Sequence, residues 1–522
     1  MGEKHLQISL SDVAAERASV ASVCMRSVRL LLCISIVAGA LVGTVQTTVV
    51  AAASRVLVMD RAGHVHARVD PSLPAGSAWP QPPAGAVAAA APSRGTTRVA
   101  AERTVRGELQ RLLAAHAIDA STQARYRRAF DDAVRTAKRL SGTRRSELQA
   151  VIDILHGIAA RGQLTAARLP VLFATLERNR EWWTTGSLLS YGQRVEFSDS
   201  ELVWESYPGQ GIQLQVLGTF GKANGLWMAK DDAKLRALLD EMLPLAAQRG
   251  GALAWEYYFG FGGGVPPWTS AMSQATGIQA LARASQELHD PAYLAVAGRA
   301  LKLFSLRPPV GVQVPTRAGV RYLLYSFAPG EIVINAFVQT LVGLYDYAQI
   351  AHSATAGRLF RAGDRQARLD VRAGDTGAWS LYQLGGPESD LSYHQLLTGF
   401  LQNLCQRTRT PVYCTTGAAY ARDMKTPPAM TLVTRRVRAG SSALVHFTVA
   451  KVARVGMTIR RDADGKTVLS TSASVARGAH AYGWTVPSTP GTYDVTLTGT
   501  DLAGNGGRTT GTIAVLGAGP RA

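Results

Sequence analysis

The apolar residues of this chain change period at Pro427-Pro428, and one regular architecture cannot accommodate both sides. Before that point they recur every three or four residues, as in Leu109, Leu112 and Leu113, and again in Val151, Ile154 and Leu155. Such spacing places apolar side chains on one face of an α-helix. The pattern covers 103–180 and returns at 232–250, 273–288, 291–304, 333–353 and 393–405. Asp290-Pro291 restarts a helix, because proline is suited to a first helical position. After Pro428, residues 431–433, 443–449, 455–459 and 493–497 alternate at period two, as half-buried strands do. Asp464-Gly465 falls between two of these runs as a hairpin turn. A chain of 522 residues is too long for one ordinary core. The expectation is a multidomain protein, with a mainly α domain over 101–426 and an all-β sandwich over 427–518.

The N-terminus reads as an address. Arg26 and Arg29 precede an uncharged run, 30–54, whose first half is apolar and which ends in Ala51-Ala52-Ala53. That is the layout of a signal peptide, although the run is also long enough for a signal anchor that would hold the protein at a membrane. Residues before Met25 do not resemble a leader, so Met25 is read as the start. Export is expected under either reading. Cys24 and Cys33 lie in this leader, which leaves Cys405 and Cys414 for the body. Those two either close a short disulfide loop, as an oxidising compartment allows, or remain buried thiols. Within the next segment, 55–100, short strands at 55–58 and 64–66 precede a linker rich in proline, alanine and glycine. His64 and His66 fit alternating strand positions, since a metal needs more ligands than this pair supplies.

Composition limits the partner. The hydrophobic fraction is 47% and the net charge +19, so the chain folds and favours polyanions. Its arginines are scattered, which fits a solvated basic surface equally well, and no nucleic-acid module is recognisable. An acidic polysaccharide is the expected partner, without nucleic acid, and no cofactor or metal is expected.

The ordinary catalytic inventories are poor here. No serine elbow, phosphate loop or clustered metal ligands stand out; Gly262-Gly263-Gly264 is followed by Pro266-Pro267, which breaks the helix a phosphate loop needs. Tyrosines are the conspicuous feature, in Arg321-Tyr322-Leu323-Leu324-Tyr325, in Trp379-Ser380-Leu381-Tyr382 and in Ser392-Tyr393-His394. Phenols acting as acid and base would suit proton abstraction from carbon or cleavage of a sugar chain. Core packing is the plainer role for any single tyrosine. Tryptophans such as Trp182, Trp204, Trp255 and Trp268 could likewise stack on sugars or fill the core.

The text around these tyrosines resembles a known family. Glu331-Ile332-Val333-Ile334-Asn335-Ala336-Phe337 and Leu341-Val342-Gly343-Leu344-Tyr345-Asp346 resemble the C-terminal domain of D-glucuronyl C5-epimerases. Pro267-Trp268-Thr269-Ser270-Ala271-Met272-Ser273-Gln274, Asp375-Thr376-Gly377 through Tyr382, and Tyr393-His394 match further blocks of that family. Tyr207-Pro208-Gly209-Gln210-Gly211 and Thr219-Phe220-Gly221-Lys222-Ala223-Asn224 are similar to a stretch of its bacterial members. The resemblance runs from about 191 to 424. It implies an incomplete α/α toroid with an open cleft, and an isomerase that inverts C5 of a uronate within a polymer. It places the family's tyrosines on Tyr325, Tyr382 and Tyr393, the first and last as an acid–base pair and Tyr382 as a positioning group. Tyr207, Lys222, Asn224, Gln274, Arg321, Asn335 and His394 are the candidate substrate-binding residues. Residues 491–505 resemble bacterial immunoglobulin-like modules, so the sandwich is expected to be of that type.

One departure stands out. The family commonly carries acidic residues just before its second tyrosine, where this chain has Leu323 and Leu324; Glu331 is the candidate replacement. Two rival functions share the features. A polysaccharide lyase would abstract the same C5 proton and then expel the C4 oxygen, and a non-catalytic cell-surface protein would hold the glycan unchanged.

Overall fold

The computed structural model describes residues 55–71 and 103–517. The leader (1–54), with Met25, Cys24 and Cys33, and all but the first residue of the 71–100 linker lie outside the described residues. No helix among the described residues is long and apolar enough to cross a membrane.

The chain opens with β1 (Arg55–Met59) and β2 (Val65–Val69), an antiparallel hairpin. The Asp60 carboxylate closes its turn by accepting from the Ala62 and His64 amides at 2.8 and 2.9 Å. Four helices follow: α1 (Val105–Ala114), α2 (Ala120–Arg139), α3 (Gly142–Ala160) and α4 (Leu169–Thr185). Thr104 and Asp119 cap the first two by accepting from Gly107 and Thr122 amides, which satisfies donors that a helix start leaves free.

Three strands come next, β3 (Arg194–Phe197), β4 (Trp204–Tyr207) and β5 (Gly211–Leu214). They extend the hairpin into a five-stranded sheet ordered β2-β1-β3-β4-β5, in which β1 runs parallel to β3. The hairpin that sequence grouped with the linker therefore packs with residues far along the chain. Charge fastens it: Lys222, 2% exposed, lies 3.2 Å from Glu196, 2.8 Å from Glu201 and 3.7 Å from Asp70, and Arg68 pairs with Glu196.

Four helix pairs then build the body. They are α5 (Val216–Ala229) with α6 (Asp232–Met242), α7 (Ala271–Glu287) with α8 (Ala292–Leu301), α9 (Ile334–Ile350) with α10 (Ala354–Ala373), and α11 (Leu391–Thr408) with α12 (Pro411–Asp423). Two small hairpins interrupt them, β6 (Ala247–Arg249) with β7 (Ala252–Ala254), and β8 (Gln313–Pro315) with β9 (Val320–Tyr322). The first member of each pair packs side by side with the next in the order α5, α7, α9, α11, and the second member packs against its own partner. These four central helices run in one direction. Gln339, in the second turn of α9, meets Thr276 in the second turn of α7, whereas Asp346 and Arg283 meet near the opposite ends. Gly343 marks their close approach: a Cβ there would stand 2.3 Å from the Ala275 carbonyl oxygen. Cys405 and Cys414 form a disulfide that ties α11 to α12.

The period change at Pro427-Pro428 is where β structure begins. One sheet is β10 (Met430–Leu432), β12 (Ser442–Val449) and β15 (Gly478–Thr485). The other, ordered β11-β17-β16-β13-β14, contains β11 (Arg436–Arg438), β13 (Ala453–Arg461), β14 (Thr467–Val475), β16 (Gly491–Asp501) and β17 (Gly506–Leu516). Alternate residues such as Val455, Met457 and Ile459 enter a core separate from that of the helices. Gly465, at φ +67°, turns β13 into β14 as Asp464-Gly465 implied.

Candidate active site

A cavity of about 510 Å³ opens between the central helices. Each contributes one face at three- and four-residue spacing: Leu217, Gly221, Asn224 and Met228 from α5; Met272, Thr276, Gln279 and Arg283 from α7. From α9 come Asn335, Gln339 and Val342, and from α11 come Tyr393, Leu396, Phe400, Asn403 and Arg407. The cavity is thus a lengthwise groove, with Tyr382 and Tyr393 beside the helix N-termini and Arg283 and Arg407 toward the C-termini. Every charged residue in its described wall is an arginine: Arg194, Arg283 and Arg407.

Tyr382 and Tyr393 reach the groove by different routes. Asp390 caps α11 by accepting from the Tyr393 amide at 2.8 Å, which places Tyr393 on the first turn. Tyr382 sits on a loop pinned to the start of α9, where its carbonyl accepts from the Ile334 amide at 3.2 Å. The two rings meet as a T, with centroids 5.0 Å apart. Tyr325 stands behind: it is 3% exposed, does not line the groove, and its hydroxyl is hydrogen-bonded with that of Tyr382.

Burial pushes all three phenols above their ordinary range. At Tyr382 the hydrogen bond with Tyr325 opposes that shift, because it stabilises a phenolate. At Tyr393 the nearby Tyr382, Asp390, Tyr191 and Glu205 reinforce it. Glu331 is half-buried, held above the usual carboxylate range by desolvation, and near enough to bear on Tyr325 and Tyr382.

The remaining candidates divide sharply. Asn224 and Asn335 line the groove. Asn224 is oriented by Arg283, whose Nη1 donates to its Oδ1 at 2.8 Å. Five others have structural partners and lie outside the groove wall. Lys222 is held by the acidic cluster behind α5. Gln274 donates to the Trp255 carbonyl at 2.8 Å, fully buried. Arg321 forks onto Asp370 with two contacts of 2.7 Å. Tyr207 donates to Glu205 at 3.1 Å, accepts from Gln215 at 2.7 Å, and stacks on Phe259.

His394, the fifth, supports the tyrosine loop. It is fully buried, stacked 3.7 Å from Trp379, and its Nδ1 accepts from the Ser380 amide at 3.2 Å. Nε2 then donates to the Tyr420 carbonyl at 3.2 Å. Desolvation lowers its pKa from 6.5 to about 4, so the ring is neutral. A depressed folded pKa in a base means that the unfolded chain takes up the proton first as pH falls. Stability is therefore retained above pH 6.5 and lost between 6.5 and about 4. The expected loss is roughly 3 kcal/mol, and His394→Gln should flatten that part of a urea-midpoint-versus-pH profile.

Sequence reading missed Tyr191, Arg194, Glu205, Gln279, Arg283 and Arg407. Arg194 Nε stands 3.9 Å from Glu205 Oε2, and Tyr191 meets Tyr207 edge to face at 5.6 Å between centroids. A signal did exist for α11: Tyr393, Leu396, Phe400, Asn403 and Arg407 repeat at steps of three and four.

Residues 249–422, which contain most of this groove and all three tyrosines, match the family model described as D-glucuronyl C5-epimerase C-terminus. That part of the chain is similar to the C-terminal domain of the C5-epimerase family. A curated relative is the D-glucuronyl C5-epimerase of Caenorhabditis elegans, 35% identical over 132 residues, or 23% of this chain and 21% of the relative. The chain thus spans about a fifth of the length of the curated relative it matches. Among solved structures, the endo-β-1,4-glucanase CMCax of Acetobacter xylinum is 15% identical, over 34% of this chain and 53% of that one, with a TM-score of 0.26. An endo-β-1,4-mannanase of Cellulomonas fimi, 12% identical over 70% of this chain and 85% of that one, has a TM-score of 0.13. Scores this low carry no argument.

Proposed function

We propose that the protein is an exported uronate C5-epimerase that acts on an acidic polysaccharide lying along the groove. The observation that carries this reading is the placement of Tyr382 and Tyr393 side by side in a wall whose charges, among the described residues, are all positive. Abstraction of the C5 proton sends its electron pair into the adjacent carboxylate, forming an enolate dianion. One phenol, as phenolate, takes that proton, and the other returns a proton to the opposite face of C5. Inversion requires C5 to sit between the two hydroxyl oxygens, one on each of its faces. Tyr325 lowers the cost of ionising Tyr382 and acts through it. Arg194 and the N-terminal ends of α9 and α11 supply positive potential where the dianion develops. Asn224 and Asn335 are donors for sugar hydroxyls.

The four aligned central helices, each backed by its partner, support an incomplete α/α toroid, and the two C-terminal sheets support an immunoglobulin-like module. The leader and the Cys405–Cys414 disulfide support export.

The close Tyr382–Tyr393 contact also favours a lyase as a second reading. There the abstracted proton returns to the departing C4 oxygen, the C4–O bond breaks, and a C4=C5 double bond forms. Incubation in heavy water with glucuronate- and iduronate-containing polymers, followed by proton NMR, tests both readings. Deuterium at C5 together with the other epimer is the expected result. Unsaturated uronate ends would replace the epimerase by the lyase, and binding without exchange would leave a glycan-binding protein. Because burial raises both groove phenols, the reactive phenolate is a small fraction at neutral pH. The logarithm of kcat/KM should therefore rise with a slope near one from pH 6 to 9. A plateau near pH 7 would assign the base to a group other than tyrosine.

A further inference from the structure

The groove extends well beyond the tyrosines, and its far end holds an unbalanced charge. Tyr393 and Arg407 lie on the same face of α11, fourteen residues apart, which corresponds to about 21 Å along the helix. Arg407 therefore cannot touch the carboxylate of a sugar whose C5 faces Tyr393. It forks onto Asp346 with contacts of 2.6 and 2.8 Å, and Arg283 reaches the same carboxylate at 2.9 Å. Gln279 donates to it as well, at 2.7 Å. Two guanidinium groups thus share one carboxylate whose oxygens are already filled with donors.

No carboxylate in the described groove wall offsets the second charge. Arg194, the third cation, is near Glu205 and belongs to the tyrosine end. Arg283 is fixed in place, with its guanidinium 4.4 Å from the Trp227 ring and one nitrogen on Asn224. Its side chain is 13% exposed. Burial and repulsion from Arg407 weaken its hold on its proton despite Asp346, as expected for a cation short of counter-charge. Met228, in the last turn of α5, is 72% exposed and lines this same end, so the groove opens to solvent beside the pair.

We propose that Arg283 and Arg407 form a second subsite, for an oxyanion carried by a sugar several units from the one that reacts. This rests on the reading that the groove holds an acidic polysaccharide. A carboxylate or a sulfate would complete the charge balance and accept the remaining guanidinium hydrogens. The substrate class is then a chain charged at intervals, not an isolated uronate. Oligosaccharides too short to reach from Tyr393 to Arg407 would lose this contribution.

Arg407→Gln tests the proposal, since it leaves Arg283 and Asp346 in one-to-one balance. Calorimetric binding of long anionic polymer should weaken about 10-fold, kcat should remain within about twofold, and a short oligosaccharide should bind as it does to the wild type. Arg407→Lys, which keeps the charge, should recover most of the affinity, and it serves as the comparison if the glutamine variant melts early. Carboxyl-reduced and desulfated polymers separate the two sources: whichever modification removes the difference between wild type and Arg407→Gln identifies the anion. Equal weakening of short and long ligands, or no change in either, would overturn the subsite. Polymer binding that depends on Arg407 without any C5 exchange would leave the subsite standing and remove the epimerase.

Discussion

Replacing Tyr393 with phenylalanine is expected to lower C5 proton exchange by at least about 10²-fold, the usual scale for losing a positioned acid or base. The fold should survive. The Tyr393 backbone is held by the Asp390 cap, and the ring contact with Tyr382 needs no hydroxyl. Thermal midpoint and circular dichroism should therefore match the wild type while deuterium incorporation at C5 falls. Tyr382→Phe should be comparably damaging, because Tyr382 also faces the groove. Tyr325→Phe should cost less, since the Tyr325 hydroxyl acts on Tyr382 and lies behind it. Combining Tyr325→Phe with Tyr382→Phe should be no worse than Tyr382→Phe alone. Additive losses would mean that Tyr325 touches the substrate itself. Wild-type exchange in Tyr393→Phe would remove the phenol mechanism altogether.

How much of this was legible in the sequence depended on whether side-chain pattern reported local geometry. Helices with one buried face gave their periodicity away, and Asp464-Gly465 marked its hairpin because only a residue tolerant of positive φ fits that corner. Strands β3 to β5 were invisible for the opposite reason. All four residues of each are buried, polar and apolar alike, so no alternation exists to be read. Glu196 and Glu205 belong to a residue type that mostly stays exposed, yet they are buried partners of Lys222 and Tyr207.

The site shows the same limit. Motif resemblance located Tyr325, Tyr382 and Tyr393, but only packing reveals that two of them face the groove and one stands behind. Arg321, Lys222 and His394 are near the tyrosines in sequence or share their motifs, yet each is drawn away by a partner from another element: Asp370, Glu201 and Tyr420. Arg283 and Arg407 carry no motif. Their meaning comes from Asp346 on a third helix, a relation that spacing along one segment cannot express.

Lys451→Met should be the most damaging change to stability, and it tests whether the C-terminal sheets are part of the active-site framework. Lys451 is 2% exposed, with Nζ 2.6 Å from the buried Asp501 carboxylate. It also donates to the Asp423 and Thr426 carbonyls, at 2.7 and 2.5 Å, where the helical body ends. The same ammonium stands 5.1 Å from the Trp379 ring, which stacks on His394 beneath the loop bearing Tyr382. One residue further on, the Val452 amide donates to Glu388 in that loop at 2.7 Å. Removing only the lysine leaves a buried carboxylate and two carbonyls short of a donor, which should cost about 3–5 kcal/mol. Chemical denaturation would read this as a large fall in midpoint. Lys451→Met with Asp501→Asn should recover part of the loss, because deleting both charges removes the stranded anion. Faster amide exchange at Ser380, Leu381 and Tyr382 in the single variant, with the central helices still protected, would place the damage in the tyrosine loop. An unchanged midpoint and unchanged exchange would instead mean that the sheets merely hang from the helical body.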